Sequence, residues 1–257
     1  MMVAVAALLG GCAGRSNSLP PGTADADKFL YDRGLEAAKE RKWVEAREYL
    51  RNLVDNYPQS SYRPDAKLAL GDTYISEDST ESLLLAANEF REFLTFYPTH
   101  PRADYAQLQI ARSFIEQMLA PERDQSATKD AIKEIEIFLQ RFPNSALMSE
   151  ARQLERQARD RLSEASYRVG FFYFRLKYYP GAIDRFKEVL STDPGFTNRD
   201  AVYFHLAESL YRTNQKAEAL PYYERLLREF EKSDYLADTQ KRVAELKGAG
   251  ATPASGR

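Results

Sequence analysis

Residues 26–58 read ADKFLYDRGLEAAKERKWVEAREYLRNLVDNYP, and the spacing inside that stretch decides the fold. Apolar side chains recur at three- and four-residue intervals on either side of the polar break Glu40-Arg41-Lys42, the mark of two amphipathic helices joined by a short turn. Gly34 lies in the first helix and Ala46 twelve positions on in the second; Leu50 and Leu53 follow four and seven later, and Pro58 closes the stretch. A small residue in each helix lets the pair approach closely, and the bulky positions fill the space beside it. The proline stops the second helix because it has no N–H to donate.

The same positions return along the chain. Gly170, Ala182, Phe186, Val189 and Pro194 keep the spacing without a gap, as do Ala207, Ala219, Tyr223 and Leu226, with Glu231 in the proline's place. Gly71 pairs with Ala86, Phe90, Phe93 and Pro98 around an added Glu77-Asp78-Ser79. Ala111 pairs with Ala131, Ile135, Phe138 and Pro143 across a loop through Pro121-Glu122-Arg123-Asp124. This is the tetratricopeptide pattern, and it predicts an all-α protein, a tetratricopeptide-repeat (TPR) α-solenoid of about five helix pairs. Helices this short are marginal alone, so each unit depends on its neighbours. Residues 25–144 hold units 1–3 and residues 145–234 hold units 4 and 5. The stripe Leu147, Ala151, Leu154, Ala158, Leu162 and Ala165 extends the first helix of unit 4 to about 30 residues. Residues 235–247, with Leu236, Thr239, Val243 and Leu246, form a capping helix with a polar outer face, and residues 248–257 a disordered tail.

Charged residues make up 29% of the chain but nearly cancel, leaving a formal net charge of -2, so there is no basic field to hold nucleic acid. One cysteine permits no disulfide framework, and no cysteine and histidine cluster suggests a metal or other cofactor. His100 and His205 fit no catalytic pattern and read as loop or helix-face residues. The charge run from Glu150 to Glu155 reads as a solvated helix face, and nothing outside the repeats is large enough to be a catalytic domain. The expectation is a binding protein and not an enzyme.

Ahead of the repeats, an apolar run from Val3 to Leu9 is far shorter than the ~20 residues a membrane span needs, and no lysine or arginine precedes it. It ends in Leu9-Gly10-Gly11-Cys12, which resembles the site where a lipoprotein signal is cut before a lipidated cysteine. Residues 1–11 are therefore expected to be a signal peptide and Cys12 the lipid attachment site. Residues 12–24, with Ser16-Asn17-Ser18 and Pro20-Pro21-Gly22, read as a flexible tether. A cysteine that is simply buried or spare is the competing reading. Ala13 stands where aspartate resembles an inner-membrane retention signal, which points to the outer membrane.

The order and length of the insertions, with Phe96-Tyr97-Pro98-Thr99-His100-Pro101, Asp104-Tyr105, Glu122-Arg123-Asp124 and Arg141-Phe142-Pro143-Asn144-Ser145, resemble the BamD family. These are the tetratricopeptide lipoproteins of the β-barrel assembly (BAM) machinery, and the likeness runs from Cys12 to about Glu231. The resemblance implies lipid anchoring on the periplasmic face of the outer membrane and a scaffold role without catalysis. It implies an N-terminal half that meets unfolded outer-membrane proteins, and a C-terminal half that docks the periplasmic domains of a BamA-like barrel subunit beside other BAM lipoproteins. The alternative is a periplasmic TPR adaptor coordinating cell-wall synthesis with outer-membrane constriction, which more often carries a coiled coil, and no heptad run precedes Asp25.

Tetratricopeptide arrays bind extended peptides along the inner face of their first helices. Counting from Gly34, Gly71 and Ala111 places Tyr31, Leu35, Leu68, Asp72, Ile75, Tyr105, Leu108, Arg112 and Ile115 near that face as a substrate-peptide groove. Barrel strands typically end in an aromatic residue and a free carboxylate, so Arg112 is a candidate carboxylate receiver; pairing with Asp72 across neighbouring helices is the competing role. In the C-terminal half, Tyr167, Phe171, Phe174, Phe204 and Tyr211 are candidates for partner docking, with packing between helices as the alternative.

Overall fold

The computed structural model describes residues 25–249. The expected signal at 1–11, Cys12, the tether to residue 24 and residues 250–257 of the expected tail lie outside the described residues. Every regular element among the described residues is a helix: α1 (Ala26–Lys39), α2 (Trp43–Asn56), α3 (Arg63–Glu77), α4 (Thr80–Phe96), α5 (Ala103–Ile115), α6 (Ser126–Arg141), α7 (Met148–Arg175), α8 (Tyr179–Thr192), α9 (Arg199–Arg212), α10 (Lys216–Glu229) and α11 (Leu236–Ala249). The chain divides into two compact units, Met1–Ala66 and Lys67–Arg257.

In the first unit α1 and α2 pack through the expected contact. A Cβ on Gly34 would lie 2.7 Å from Leu50 side-chain atoms, so no larger residue fits without displacing that leucine. Leu30, Ala46, Leu50 and Leu53 are buried around it.

The second unit repeats the device. A Cβ on Gly71 would come within 2.5 Å of Phe90 Cζ, and one on Gly170 within 2.8 Å of Phe186 Cε1. In units 3 and 5 the small residues are Ala111 and Ala207, both fully buried, facing Ile135 and Tyr223. The alanine and the two bulky residues of the second helix are at most 2% exposed in all five repeats. Helices α2, α4, α6 and α8 end at Asn56, Phe96, Arg141 and Thr192, each two residues before the proline, because a residue that precedes proline is steered out of helical geometry.

Two further devices recur along the repeats. The tight turns between paired helices pass through one residue in the left-handed region: Arg41 (φ 59°), Asp78 (55°), Lys177 (61°) and Asn214 (64°). None is glycine, and such a residue costs about 1–2 kcal/mol, which the pairing of the flanking helices offsets. In unit 2 the added Glu77-Asp78-Ser79 is a cap: Ser79 Oγ accepts the Ser82 N–H at 3.0 Å and Ser82 Oγ accepts the Ser79 N–H at 2.8 Å. Satisfying two otherwise orphaned donors is worth about 1 kcal/mol at a helix start.

The second device joins the start of the first helix to the turn after the second. An aspartate seven residues before the small position accepts from a serine two residues past the proline position: Ser60 to Asp27 at 2.5 Å, Ser145 to Asp104 at 2.6 Å and Ser233 to Asp200 at 2.6 Å. Each serine oxygen also accepts a backbone N–H two residues on, from Tyr62, Leu147 or Tyr235. Unit 4 exchanges the partners: Ser163, seven before Gly170, donates to Asp193 at 2.7 Å. Burial alone would raise the Asp193 pKa, but Arg156 and Ser163 hold it below the ordinary carboxylate value. In unit 2 His100 takes the serine's place in the turn and accepts the Arg102 N–H at 3.1 Å.

Helix α7 is 28 residues long, close to the expected 30 and about 42 Å at 1.5 Å per residue, twice the length of its partner α8. Its first half packs on α6 and its second half on α8 and α9. Beyond α10 comes α11, whose Val243 and Leu246 lie against the C-terminal core while Lys241, Ala244 and Glu245 face solvent.

Candidate binding surfaces

The inner positions of the first helices separate into core and surface. In the first unit Tyr31 and Leu35 on α1 are half-buried, and the Tyr31 ring stacks on Tyr62 with centroids 5.3 Å apart. In the second unit Leu68, Leu108 and Ile115 are buried, a correction to their place in the groove. Leu68 packs with Phe90 and Ile110, Leu108 with Phe138 and Ala151, and Ile115 with Ala131 and Ile135. A first helix in a stack is flanked by its own partner and by the next repeat, so its apolar stripe spreads beyond one face and these positions fall inside it.

Asp72, Ile75, Tyr105 and Arg112 remain half-exposed. Tyr105 donates its hydroxyl proton to Asp72 Oδ1 at 2.7 Å and accepts from Gln109 Nε2 at 2.7 Å, while the Arg102 guanidinium sits 4.6 Å over the Tyr105 ring. Burial raises the Asp72 pKa in spite of the Tyr105 bond, and burial with the Asp72 charge pushes the Tyr105 hydroxyl up to about 12. Arg112 does not pair with Asp72. Its Nη2 meets Glu150 in the first turn of α7, because Tyr105 already occupies the aspartate and α7 brings Glu150 alongside α5. The pair is only partly covered, with side chains 37% and 38% exposed, and Arg112 Nε is buried without a hydrogen-bond partner. Gln109 and Arg102 join this face without having been singled out in the sequence, and Glu150, read there as part of a solvated charge run, joins it as the partner of Arg112. For Glu150 a first-turn acid on the next inner helix was the available signal.

In the C-terminal half the expected docking aromatics are largely interior. Tyr167 is 9% exposed, and Phe171, Phe174, Phe204 and Tyr211 are half-buried. Four of the five rings gather on His205, with centroids 5.9 Å away for Tyr167, 4.9 Å for Phe171, 5.1 Å for Phe174 and 5.3 Å for Phe204. His205 Nδ1 donates to the Ala201 carbonyl at 2.7 Å, and burial lowers its pKa, so the ring sits as a neutral core group. Tyr211 lies under Arg242 of α11, 4.4 Å from its guanidinium carbon. Helix α9 is covered on nearly every side by its neighbours, and its aromatic content serves that burial. The large apolar side chains that do reach solvent here are Val169, Phe172, Leu176 and Tyr178.

No helix among the described residues is long and apolar enough to cross a membrane. Stacked helix pairs, with a half-exposed face of mixed polarity on α3 and α5, define a helical-repeat protein. The chain belongs to the YfiO family of outer membrane lipoproteins, whose profile matches residues 23–212, and a tetratricopeptide repeat profile matches residues 201–233. It is 27% identical over 221 residues to the outer membrane protein assembly factor BamD of Caulobacter vibrioides, covering 84% of this chain and 70% of that one. It is 26% identical over 197 residues to BamD of Vibrio cholerae, covering 73% and 79%. Among solved structures, the TPR2AB-domain:pHSP90-complex of yeast Sti1 superposes with a TM-score of 0.45 at 12% identity, over 86% of this chain and 98% of that one.

Proposed function

We propose that the protein is an outer-membrane assembly scaffold, anchored through a lipid on Cys12, that receives the C-terminal ends of unfolded barrel proteins on the inner face of α3 and α5 and docks a BamA-like barrel subunit through its C-terminal repeats. Family membership and the assembly-factor role of its relatives support the assembly reading. The observation that carries the peptide reading is Arg112, a part-exposed guanidinium held by a single carboxylate in line with Ile75 and Tyr105. An incoming C-terminal carboxylate takes over Nη2 from Glu150, and the terminal aromatic ring lies against Tyr105 and Ile75. Charge-assisted bonds of this kind are the strong ones, and the exchange spares the cost of exposing a new buried charge.

Arg112→Ala is expected to weaken binding of a C-terminal barrel peptide by about 1.5–3 kcal/mol, the range for bonds to charged groups, and to leave an amidated peptide almost unaffected. Isothermal titration with both peptides separates the outcomes: equal loss for the two, with helicity unchanged, removes the carboxylate-receiving role. For anchoring and docking, the measurement is fractionation and mild-detergent recovery from the native envelope. The wild type is expected in the membrane fraction together with a barrel protein bearing repeated periplasmic domains. Cys12→Ala, exported normally, is expected to leave the membrane, since two or three acyl chains at ~0.8 kcal/mol per buried CH₂ supply the anchor. Retention of that variant without partners, or recovery of cell-wall enzymes in place of the barrel protein, overturns the reading.

A further inference from the structure

Arg112 and Glu150 are each settled without the other. Arg112 lies in the last turn of α5, where the carbonyl end of the helix favours a cation, and Glu150 in the first turn of α7, where the N–H end favours an anion. Both side chains are more than a third exposed, and a pair so open to water adds little to the fold. The neighbouring acids are engaged elsewhere. Glu155, further along α7, is held by Arg152 at 2.9 Å and Arg159 at 3.1 Å, and Asp72 accepts from Tyr105 at 2.7 Å. Glu150 instead reaches from its own helix to the guanidinium of another.

The contact is also incomplete. Glu150 meets Arg112 Nη2, while Nε of the same guanidinium is buried with no hydrogen-bond partner among the described residues. Guanidinium and carboxylate bind most strongly through two parallel bonds, so a contact through one nitrogen yields to a better placed carboxylate. An unguarded arginine on this face would take the carboxylate of any aspartate or glutamate in a passing chain. Glu150 changes that, because a group carried on the same fold is always at hand, whatever the concentration of the ligand. A carboxylate that brings only its charge gains nothing by displacing it. In a terminal aromatic residue, ring and carboxylate hang from the same Cα and engage together; an internal acid must order a second side chain to bring a ring.

We propose that Glu150 is a specificity-determining residue, an intramolecular competitor that reserves Arg112 for the carboxylate at the end of a chain and leaves side-chain carboxylates unbound. The inference rests on the carboxylate-receiving role of Arg112 and adds to it a penalty against the wrong ligand, one of the two ways a site discriminates between like groups. Because both helix ends suit their charges alone, the pair opens without leaving either group stranded.

The test is isothermal titration of the full chain in mild detergent with three forms of one barrel-end peptide: a free C-terminal carboxylate, the amide, and the amide with a glutamate before its terminal aromatic residue. The proteins are the wild type, Glu150→Gln, Arg112→Ala and the double variant, with helicity checked in each. In the wild type the two amides are expected to bind alike. Glu150→Gln is expected to tighten the free-carboxylate peptide about two- to fivefold, the worth of a part-exposed ion pair, and the glutamate-bearing amide by a similar factor, with the plain amide unchanged. Both gains are expected to vanish when Arg112 is also alanine. If Glu150→Gln binds all three as the wild type does while Arg112→Ala still weakens the free-carboxylate peptide alone, the competitor is wrong and the receiving role stands. Gains that persist in the double variant come from general charge repulsion and overturn the proposal. A gain confined to the free-carboxylate peptide means that Glu150 weakens binding without selecting, which overturns its specificity role. Equal loss of the free-carboxylate peptide and its amide in Arg112→Ala removes the receiving role and the competitor with it.

Discussion

Gly71→Ala is expected to destabilise the protein by about 1–3 kcal/mol and Phe90→Ala by about 3–5 kcal/mol, with the double variant costing clearly less than their sum. The first adds a methyl that would sit 2.5 Å from Phe90 Cζ, where Phe90 is fully buried and also meets the Tyr105 ring edge-on at 6.3 Å, leaving the ring little freedom to give way. The second opens a cavity at the same contact. In the double variant the new methyl enters the space the ring has left, so the clash disappears and part of the cavity is filled. Urea unfolding of the four proteins followed by circular dichroism measures the cycle. Simple additivity sinks the claim that this close contact governs the pairing of α3 with α4.

Arg242→Ala is expected to cost about 2–4 kcal/mol and to loosen α11 before the rest of the chain. Glu208 on α9 is 5% exposed at its side chain, accepts from Tyr223 on α10 at 2.6 Å, and accepts from Arg242 Nε on α11 at 2.7 Å. Removing one partner of a buried pair costs about 3–5 kcal/mol when nothing replaces it; here Tyr223 and the Arg212 guanidinium at 3.2 Å remain, which lowers the figure. The same pair predicts a pH signature. Burial alone would raise the Glu208 pKa, yet the Arg242 and Tyr223 bonds hold it below the ordinary value of 4.5. Its stabilising contribution is therefore complete above pH 4.5 and is lost as the pH falls from there through the folded-state pKa. The gap between wild type and Arg242→Ala is expected to be widest at neutral pH and to shrink in acid. Hydrogen exchange of the α11 amides reports the loosening; protection equal to wild type at pH 7 contradicts it.

Local pattern carried the repeat architecture because the features that define a helix pair lie close together in the chain. Gly34 and Leu50, Gly170 and Phe186, and the prolines two residues past α2, α4, α6 and α8 all belong to single repeats, and their spacing states which surfaces meet. The serine and aspartate staples went unread although they too hold fixed places, at seven before the small residue and two past the proline position, because a hydrogen bond between residues 33 or 41 apart has no periodic signature to announce it. Length and stripe also showed α7 as one long helix.

The binding faces required the packed structure. Periodicity says which side of a helix is apolar and is silent on what covers it, so Leu68, Leu108 and Ile115 read as groove positions and prove to be core, and Tyr167, open to either docking or packing, proves to be nearly buried. It equally hid the outer ridge of Val169, Phe172 and Leu176, which lies on the side of α7 away from the core it shares with α8 and α9. The partner of Arg112 was likewise undetermined, since Asp72 and Glu150 both stand on adjacent inner helices, and the choice fell to whichever carboxylate Tyr105 left free. Sequence alone determined how each repeat folds upon itself, through short-range sterics and helix periodicity. Tertiary structure decided which side chains are left for another molecule to touch, because exposure is set by what each neighbouring helix covers.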